Sequence, residues 1–170
     1  MLSLVLHPND ILDQSLEEFN FADPPVDPFK LEEDMIDVMI KENGIGLAAN
    51  QVGVNIRAFA IKTQNIPELI TPFVAFNPEV VAVSEDMDYD YEGCLSFPNL
   101  FFKVNRPKTI IAKFFDSSSK ECIIELTGID ARCYLHELDH LDGICFIDRV
   151  SKLKLDLAIK KQRKRNGRTK

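Results

Sequence analysis

The segment His136-Glu137-Leu138-Asp139-His140 concentrates the residue types best able to do chemistry. On a helix, residues four apart share a face, so both imidazoles can reach one metal ion. Glu137, next to the first histidine, can touch a metal-bound water. Such a water has a lowered pKa, and the carboxylate can take its proton and later return it to a leaving amine. The alternative is a solvated helix face with two incidental histidines, which would use two of the three histidines in the chain.

A catalytic ion needs a third protein ligand and an open position. In one metalloprotease class that ligand is a histidine six residues beyond the second one. Gly143 fits that pattern here, but the ligand position is Phe146. In another class it is a glutamate on a later helix, and no glutamate follows Glu137. Asp148 and Asp156 are weak candidates, and His7 reads as an N-terminal packing residue. The cysteines or an upstream carboxylate remain. Cys122 and Cys145 read as core, and Cys133 as lining the site or the core, because three ligands from one straight helix do not surround an ion easily. Cys94 follows Gly93, where the backbone can approach an ion closely. A Cys–His–His set with one water is a workable catalytic centre.

Gly44-Ile45-Gly46-Leu47-Ala48-Ala49-Asn50-Gln51 is the other unusual stretch. Small residues at this density let backbones pack closely or let a substrate lie against main-chain groups. The third glycine of a dinucleotide fingerprint and the Lys-Ser/Thr of a phosphate loop are missing. A helix end with tight packing is the plainer reading.

Elements must hold these segments together. Asp27-Pro28 reads as an N-cap with proline at the first helical position, and Phe29, Met35, Ile36, Met39 and Ile40 follow at helical spacing, with Gly44 placed to end the helix. Arg57 to Lys62, Phe73 to Phe76 and Val80 to Val83 read as short strands, the last running into an acidic stretch with two tyrosines. Thr109 to Phe115 and Cys122 to Leu126 flank Asp116-Ser117-Ser118-Ser119-Lys120, a hairpin pattern. Gly128 precedes a helix over about Ile129 to Leu141, stopped by Gly143. An amphipathic helix begins near Ser151, with Leu153, Leu155, Leu157 and Ile159 available for a packed face. This order predicts an α+β fold: antiparallel sheets around a central metal-binding helix, with an N-terminal and a C-terminal helix.

The chain has 170 residues, 45% hydrophobic and 28% charged, which suits one domain over 1–170 with a real core. Its apolar runs are too short to span a membrane. The N-terminus lacks the basic region of a signal peptide. Four cysteines without such a peptide point to free thiols in a reducing, cytoplasmic compartment. Net charge is −7; nine Lys or Arg against one Asp from Ser151 to Lys170 contribute +8, leaving −15 on the rest. An acidic body argues against DNA binding by the fold. The basic tail, 159–170, reads as a solvated terminus or as a contact for ribosomal RNA phosphates.

Taken together, Gly44 to Gln51, Glu92-Gly93-Cys94-Leu95-Ser96 and His136 to His140 resemble the peptide deformylase family, which carries Gly-x-Gly-x-Ala-Ala-x-Gln, Glu-Gly-Cys-Leu-Ser and His-Glu-x-x-His in this order. Leu6-His7-Pro8 and Val104-Asn105-Arg106-Pro107 extend the likeness over roughly residues 2 to 150. The resemblance implies a metallohydrolase that removes the formyl group from N-formylmethionine of nascent peptides. It implies Cys94, His136 and His140 as ligands of one divalent ion, foremost Fe(II), with zinc in some members. Glu137 would be the general acid/base. The Gln51 side chain and the Leu95 backbone N–H would donate to the oxyanion. Glu92 would pair with Arg106 and hold the cysteine loop. Ile45 and Gly46 would bind the substrate backbone as an added strand, and Ile45, Ile129 and Cys133 would form an apolar methionine pocket. Some bacterial members bind near the ribosomal exit tunnel through a C-terminal helix. Two positions depart from the pattern: Leu135 where many members have Gln, and Phe101 where bacterial members often have Arg. A noncatalytic, metal-containing peptide binder is the competing class, though such a protein would not need Glu137 and Gln51.

Overall fold

The computed structural model describes residues 2–66 and 71–166, with side chains through Gln162 in the last helix. Helix α1, Pro28–Lys41, starts where the Asp27 carboxylate accepts from the Phe29 N–H at 2.9 Å and Lys30 N–H at 3.4 Å, with Pro28 giving up a donor the first turn does not use. It buries Leu31, Met35, Val38 and Met39. The turn out of the helix is made one residue earlier than the glycine pattern suggests. Asn43 takes the left-handed backbone, φ +59°, and Gly44 serves a close approach: a Cβ there would lie 2.8 Å from Leu95 Cδ1.

Strands β1 (Gly46–Ala48), β2 (Ala58–Ile61), β3 (Phe73–Val83), β6 (Thr109–Phe115) and β7 (Glu121–Thr127) form an antiparallel sheet in the order β1-β2-β3-β6-β7. Phe73 to Phe76 and Val80 to Val83 are one strand, β3, rather than two. The apparent break is a pair of register shifts around Asn77-Pro78. Asn77 sits at φ +47° and turns its amide onto the Phe19 backbone in two bonds of 2.8 and 2.9 Å. The β6–β7 hairpin has the predicted turn at Asp116–Lys120. Strands β4 (Met87–Cys94) and β5 (Phe97–Pro107) make a separate two-stranded sheet. Neither residue pattern, acidic and tyrosine-bearing in β4, predicts a strand.

Helix α2, Ile129–Leu141, packs on β1, β2 and β7 on one side and β5 on the other, and so stands between the two sheets. Its C-cap is Asp142; Gly143, φ +71°, follows, where a Cβ would meet the Asp13 carbonyl at 2.7 Å. The main core joins α1, the larger sheet and α2. A smaller cluster of Leu12, Phe97, Phe102, Cys145 and Phe146 lies under β5 and takes Val150, Leu155 and Ala158 at its edge. The last two belong to α3, Lys152–Asn166. Leu153 and Leu157 point to solvent, 70% and 58% exposed, because residues two apart cannot share a helical face. Leu155, Ala158 and Ile159 turn inward instead. Among the described residues no helix is long and apolar enough to cross a membrane. Of the basic tail, Lys160 and Lys161 are exposed on α3. The Arg163, Lys164 and Arg165 side chains, and Arg168 and Lys170, lie outside the described residues.

Candidate metal centre

Cys94 ends β4, and His136 and His140 lie one turn apart on α2. The fold brings one ligand atom of each to within 4.8 Å of the others. Cys94 Sγ is 3.2 Å from His140 Nε2. His136 Nδ1 meets Glu92 Oε2 at 3.0 Å, which leaves Nε2 as the nitrogen free for an ion. His140 is fully buried, its Nδ1 has no partner, and Asn50 Nδ2 donates 2.8 Å to its backbone carbonyl. A soft thiolate beside two imidazoles, three ligands and a cleft on the remaining side fit a catalytic divalent ion. Asp148 instead accepts from the Cys145 N–H, and Asp156 is exposed on α3. His7 stacks on Phe97, centroids 4.6 Å apart.

Burial would push the His136 imidazole down, but the Cys94 sulfur and Glu92 outweigh it and hold the ring at about 10. Burial, with the His136 and Arg106 charges, pushes His140 well below its ordinary range. An ion taking His136 Nε2 therefore displaces a proton. Burial raises the Glu137 carboxyl to about 7, with His136 opposing it. Glu137 Oε2 is buried without a partner. Its Oε1 lies under Gly46, where a Cβ would sit 2.3 Å from it and 2.7 Å from Cys133 Sγ. Only glycine lets strand β1 pass so near the carboxylate.

Gln51 is aimed from both ends. Its Oε1 accepts from the Ala48 N–H at 2.8 Å, and its Nε2 points at Cys94 Sγ, 3.3 Å, and Ser96 Oγ, 3.1 Å. An N–H donor thereby stands beside the ligand cluster. Leu95 follows Cys94 in the turn between β4 and β5, its side chain against Gly44. A cleft of about 570 Å³ opens beside Glu137, His136 and Gln51, and Ile45, Gly46, Leu95, Ile129 and Cys133 are in its wall. Cys133 donates toward the Ile45 carbonyl at 3.5 Å, and burial holds its thiol well up, so it is a neutral wall residue.

Glu92 and Arg106 form a bidentate pair, both contacts 2.9 Å and both side chains buried. Burial alone would raise the Glu92 carboxyl; Arg106 and His136 bring it to about 2. The network extends past the two residues the sequence analysis singled out. Arg132 Nη1 donates to Glu92 Oε1 at 2.7 Å and to the Val104 carbonyl at 2.9 Å. Arg106 Nη1 donates to Asp139 Oδ2 at 2.6 Å, and Arg149 pairs with the same carboxylate. Arg132, His136 and Asp139 stand at i, i+4 and i+7 on α2, one helical face. That spacing, with charge where apolar residues would be expected, was the available signal.

A profile of the polypeptide deformylase family matches residues 1–156. The peptide deformylase of Agrobacterium fabrum is 39% identical over 158 residues, covering 93% of this chain and 92% of that one. That of Brucella suis is also 39% identical, over 95% and 91% of the two chains. The crystal structure of peptide deformylase from Ehrlichia chaffeensis superposes with a TM-score of 0.86 at 35% identity, over 99% of this chain and 98% of the other. Profile, relatives and architecture agree along nearly the whole chain, and on these grounds it belongs to the polypeptide deformylase family.

Proposed function

We propose that this chain hydrolyses the formyl group from N-formylmethionine at the start of nascent polypeptides, with Cys94, His136 and His140 holding one divalent ion. The observation that carries the reading is the pairing of a buried, unpartnered Glu137 carboxylate oxygen with the Gln51 amide donor beside the three ligands. A metal-containing binder would gain nothing from keeping that oxygen unpaired. The ion, Fe(II) foremost and Zn(II) as the alternative, supplies a Lewis acid that makes water a nucleophile near neutral pH. Glu137, at about 7, is suited to take the water's proton at its carboxylate and to deliver it to the departing methionyl nitrogen. Overall, a C–O bond forms, the formyl C–N bond breaks, and formate and a free amine leave. Gln51 Nε2 and the Leu95 N–H donate to the formyl oxygen as it gains charge. The substrate backbone pairs with Ile45 and Gly46 along β1, an edge strand, and the methionine side chain enters the wall of Ile45, Ile129 and Cys133.

Anaerobically prepared protein incubated with formyl-Met-Ala-Ser, with metal content measured in parallel, tests the reading. Formate release that scales with bound metal, collapses on chelation and is weakened by Cys94→Ser is the expected result. Full activity after chelation, or none with metal bound, overturns it. The basic tail is the part of this reading that reaches toward the ribosome, consistent with a cytoplasmic enzyme acting on emerging chains. Truncation after Ile159 should leave tripeptide turnover intact and lower cosedimentation with ribosomes at low salt. Equal pelleting leaves the tail a solvated terminus.

A further inference from the structure

The β4–β5 hairpin has a second face that the proposed chemistry does not use. Strand alternation sends Glu92, Phe102 and Arg106 inward, and the register puts Tyr91 across from Lys103 and Gly93 across from Phe101 on the outer side. Tyr89, Tyr91 and Phe101 are 52%, 62% and 66% exposed, a dense aromatic surface. Lys103 Nζ sits 5.6 Å from the Tyr89 ring centroid and 5.1 Å from that of Tyr91. Lys154, reaching over from α3, donates to the Tyr89 hydroxyl at 3.3 Å. Neither lysine has a carboxylate partner among the described residues. Two such cations on a body that is otherwise strongly acidic form a local site for negative charge.

This surface is continuous with the reaction cleft. Tyr91 and Phe101 belong to the wall of the 570 Å³ cleft and also to a second cleft of about 380 Å³, which continues past Tyr89, Lys103, Lys154 and Leu157. Strand rise is roughly 3.3 Å per residue, so Tyr91 lies on the order of 10 Å from Cys94 along β4 and Tyr89 on the order of 16 Å. An extended peptide covers the same distances in about three and five residues.

We infer that the second cleft seats the fourth to sixth residues of the formyl-peptide substrate and favours acidic side chains there, held by Lys103 and Lys154 over a tyrosine floor. This rests on the deformylase reading above. The peptide backbone crosses Phe101 and Tyr91, and the aromatic rings give apolar contact whatever side chain passes over them.

The test compares kcat/KM for formyl-Met-Ala-Ser with formyl-Met-Ala-Ser-Glu-Glu and formyl-Met-Ala-Ser-Lys-Lys at low ionic strength. The glutamate pentapeptide should exceed the lysine one by about fivefold, the size expected of two exposed charge pairs, and the ratio should shrink with salt. Lys103→Ala with Lys154→Ala should bring the ratio to one without changing tripeptide turnover. Lys154→Glu, an exposed substitution, should tilt it toward lysine. A tripeptide that is turned over with no glutamate preference overturns this inference and leaves the deformylase reading standing, whereas no turnover of any substrate counts against that reading itself. If the paired alanine variant keeps the peptide ratio but loses RNA binding, the surface serves nucleic acid and the proposal fails.

Discussion

Helix α2 has two faces that are held by opposite physics. Toward the larger sheet, Ala131, Tyr134 and Leu141 are fully buried, and the Tyr134 ring meets Phe59 edge-on at 4.9 Å. Toward the β4–β5 hairpin, Arg132, His136 and Asp139 are buried as well, but their partners are Glu92, Arg106 and Arg149. Packing on the first face is nondirectional and absorbs small errors. The second face consists of ions taken out of water, each of which depends on its neighbours. The contrast separates two jobs. The apolar face anchors the helix, and the charged face sets the angle at which its histidines meet Cys94.

The comparison sharpens most at Glu137, whose Oε2 is buried without a partner between the two faces. Glu137→Gln should lower turnover by about a hundredfold or more while metal content and melting temperature stay near those of the parent. Equal turnover at equal metal content removes Glu137 from the chemistry.

On the charged face, Arg106→Ala removes the bidentate partner of Glu92, which keeps Arg132 and His136, and one of the two arginines on Asp139, which keeps Arg149, and should cost about 3 kcal/mol in denaturant unfolding. It should also weaken metal binding by roughly 10- to 100-fold, since Glu92 orients His136. Loss of stability without loss of metal affinity would mean the network only holds the fold. The same face predicts an acid limit. Glu92 at about 2 in the fold lies below its ordinary 4.5, so the unfolded chain binds the extra proton between these values. Stability from Glu92 is present above about 4.5 and drains away as pH falls toward 2. Acid titration of metal-free protein should show this drop, and Glu92→Gln should flatten it.

The smallest effect belongs to the apolar face. Tyr134→Phe removes a hydroxyl that reaches the Glu79 and Lys113 carbonyls at 3.2 and 3.1 Å, and should cost about 1 kcal/mol. Activity should not change. A loss of turnover would mean that the two faces are not separable.

The same division explains what could be read from sequence. α1 and α2 announced themselves through caps and helical spacing, and the β6–β7 hairpin through its turn. The candidate cluster of Cys94, His136 and His140 was legible from the His136–His140 interval, from the exclusion of the other possible ligands, and from the motif around Cys94. Strands β4 and β5 stayed hidden because charged Glu92 and Arg106 share their buried side with Phe102 and Val104 while their outer side carries Tyr89, Tyr91 and Phe101, which blurs the usual inside-out alternation. Arg132, Asp139 and Arg149 were missed for a related reason: charge on a helix reads as solvent-facing until a partner is known. The β3 break was inferred at Asn77-Pro78, where a bulge lets the strand continue.

Gly46 sets a limit on how this protein can change. Since any side chain there would overlap the Glu137 carboxylate and the Cys133 sulfur, no single-codon replacement keeps both strand and carboxylate in place. A library of all substitutions at this codon should return only the parent under selection for turnover. An inhibitor that reads the main chain at position 46 would grip a feature the gene has no simple route to alter, so escape variants should arise at the cleft's outer walls instead.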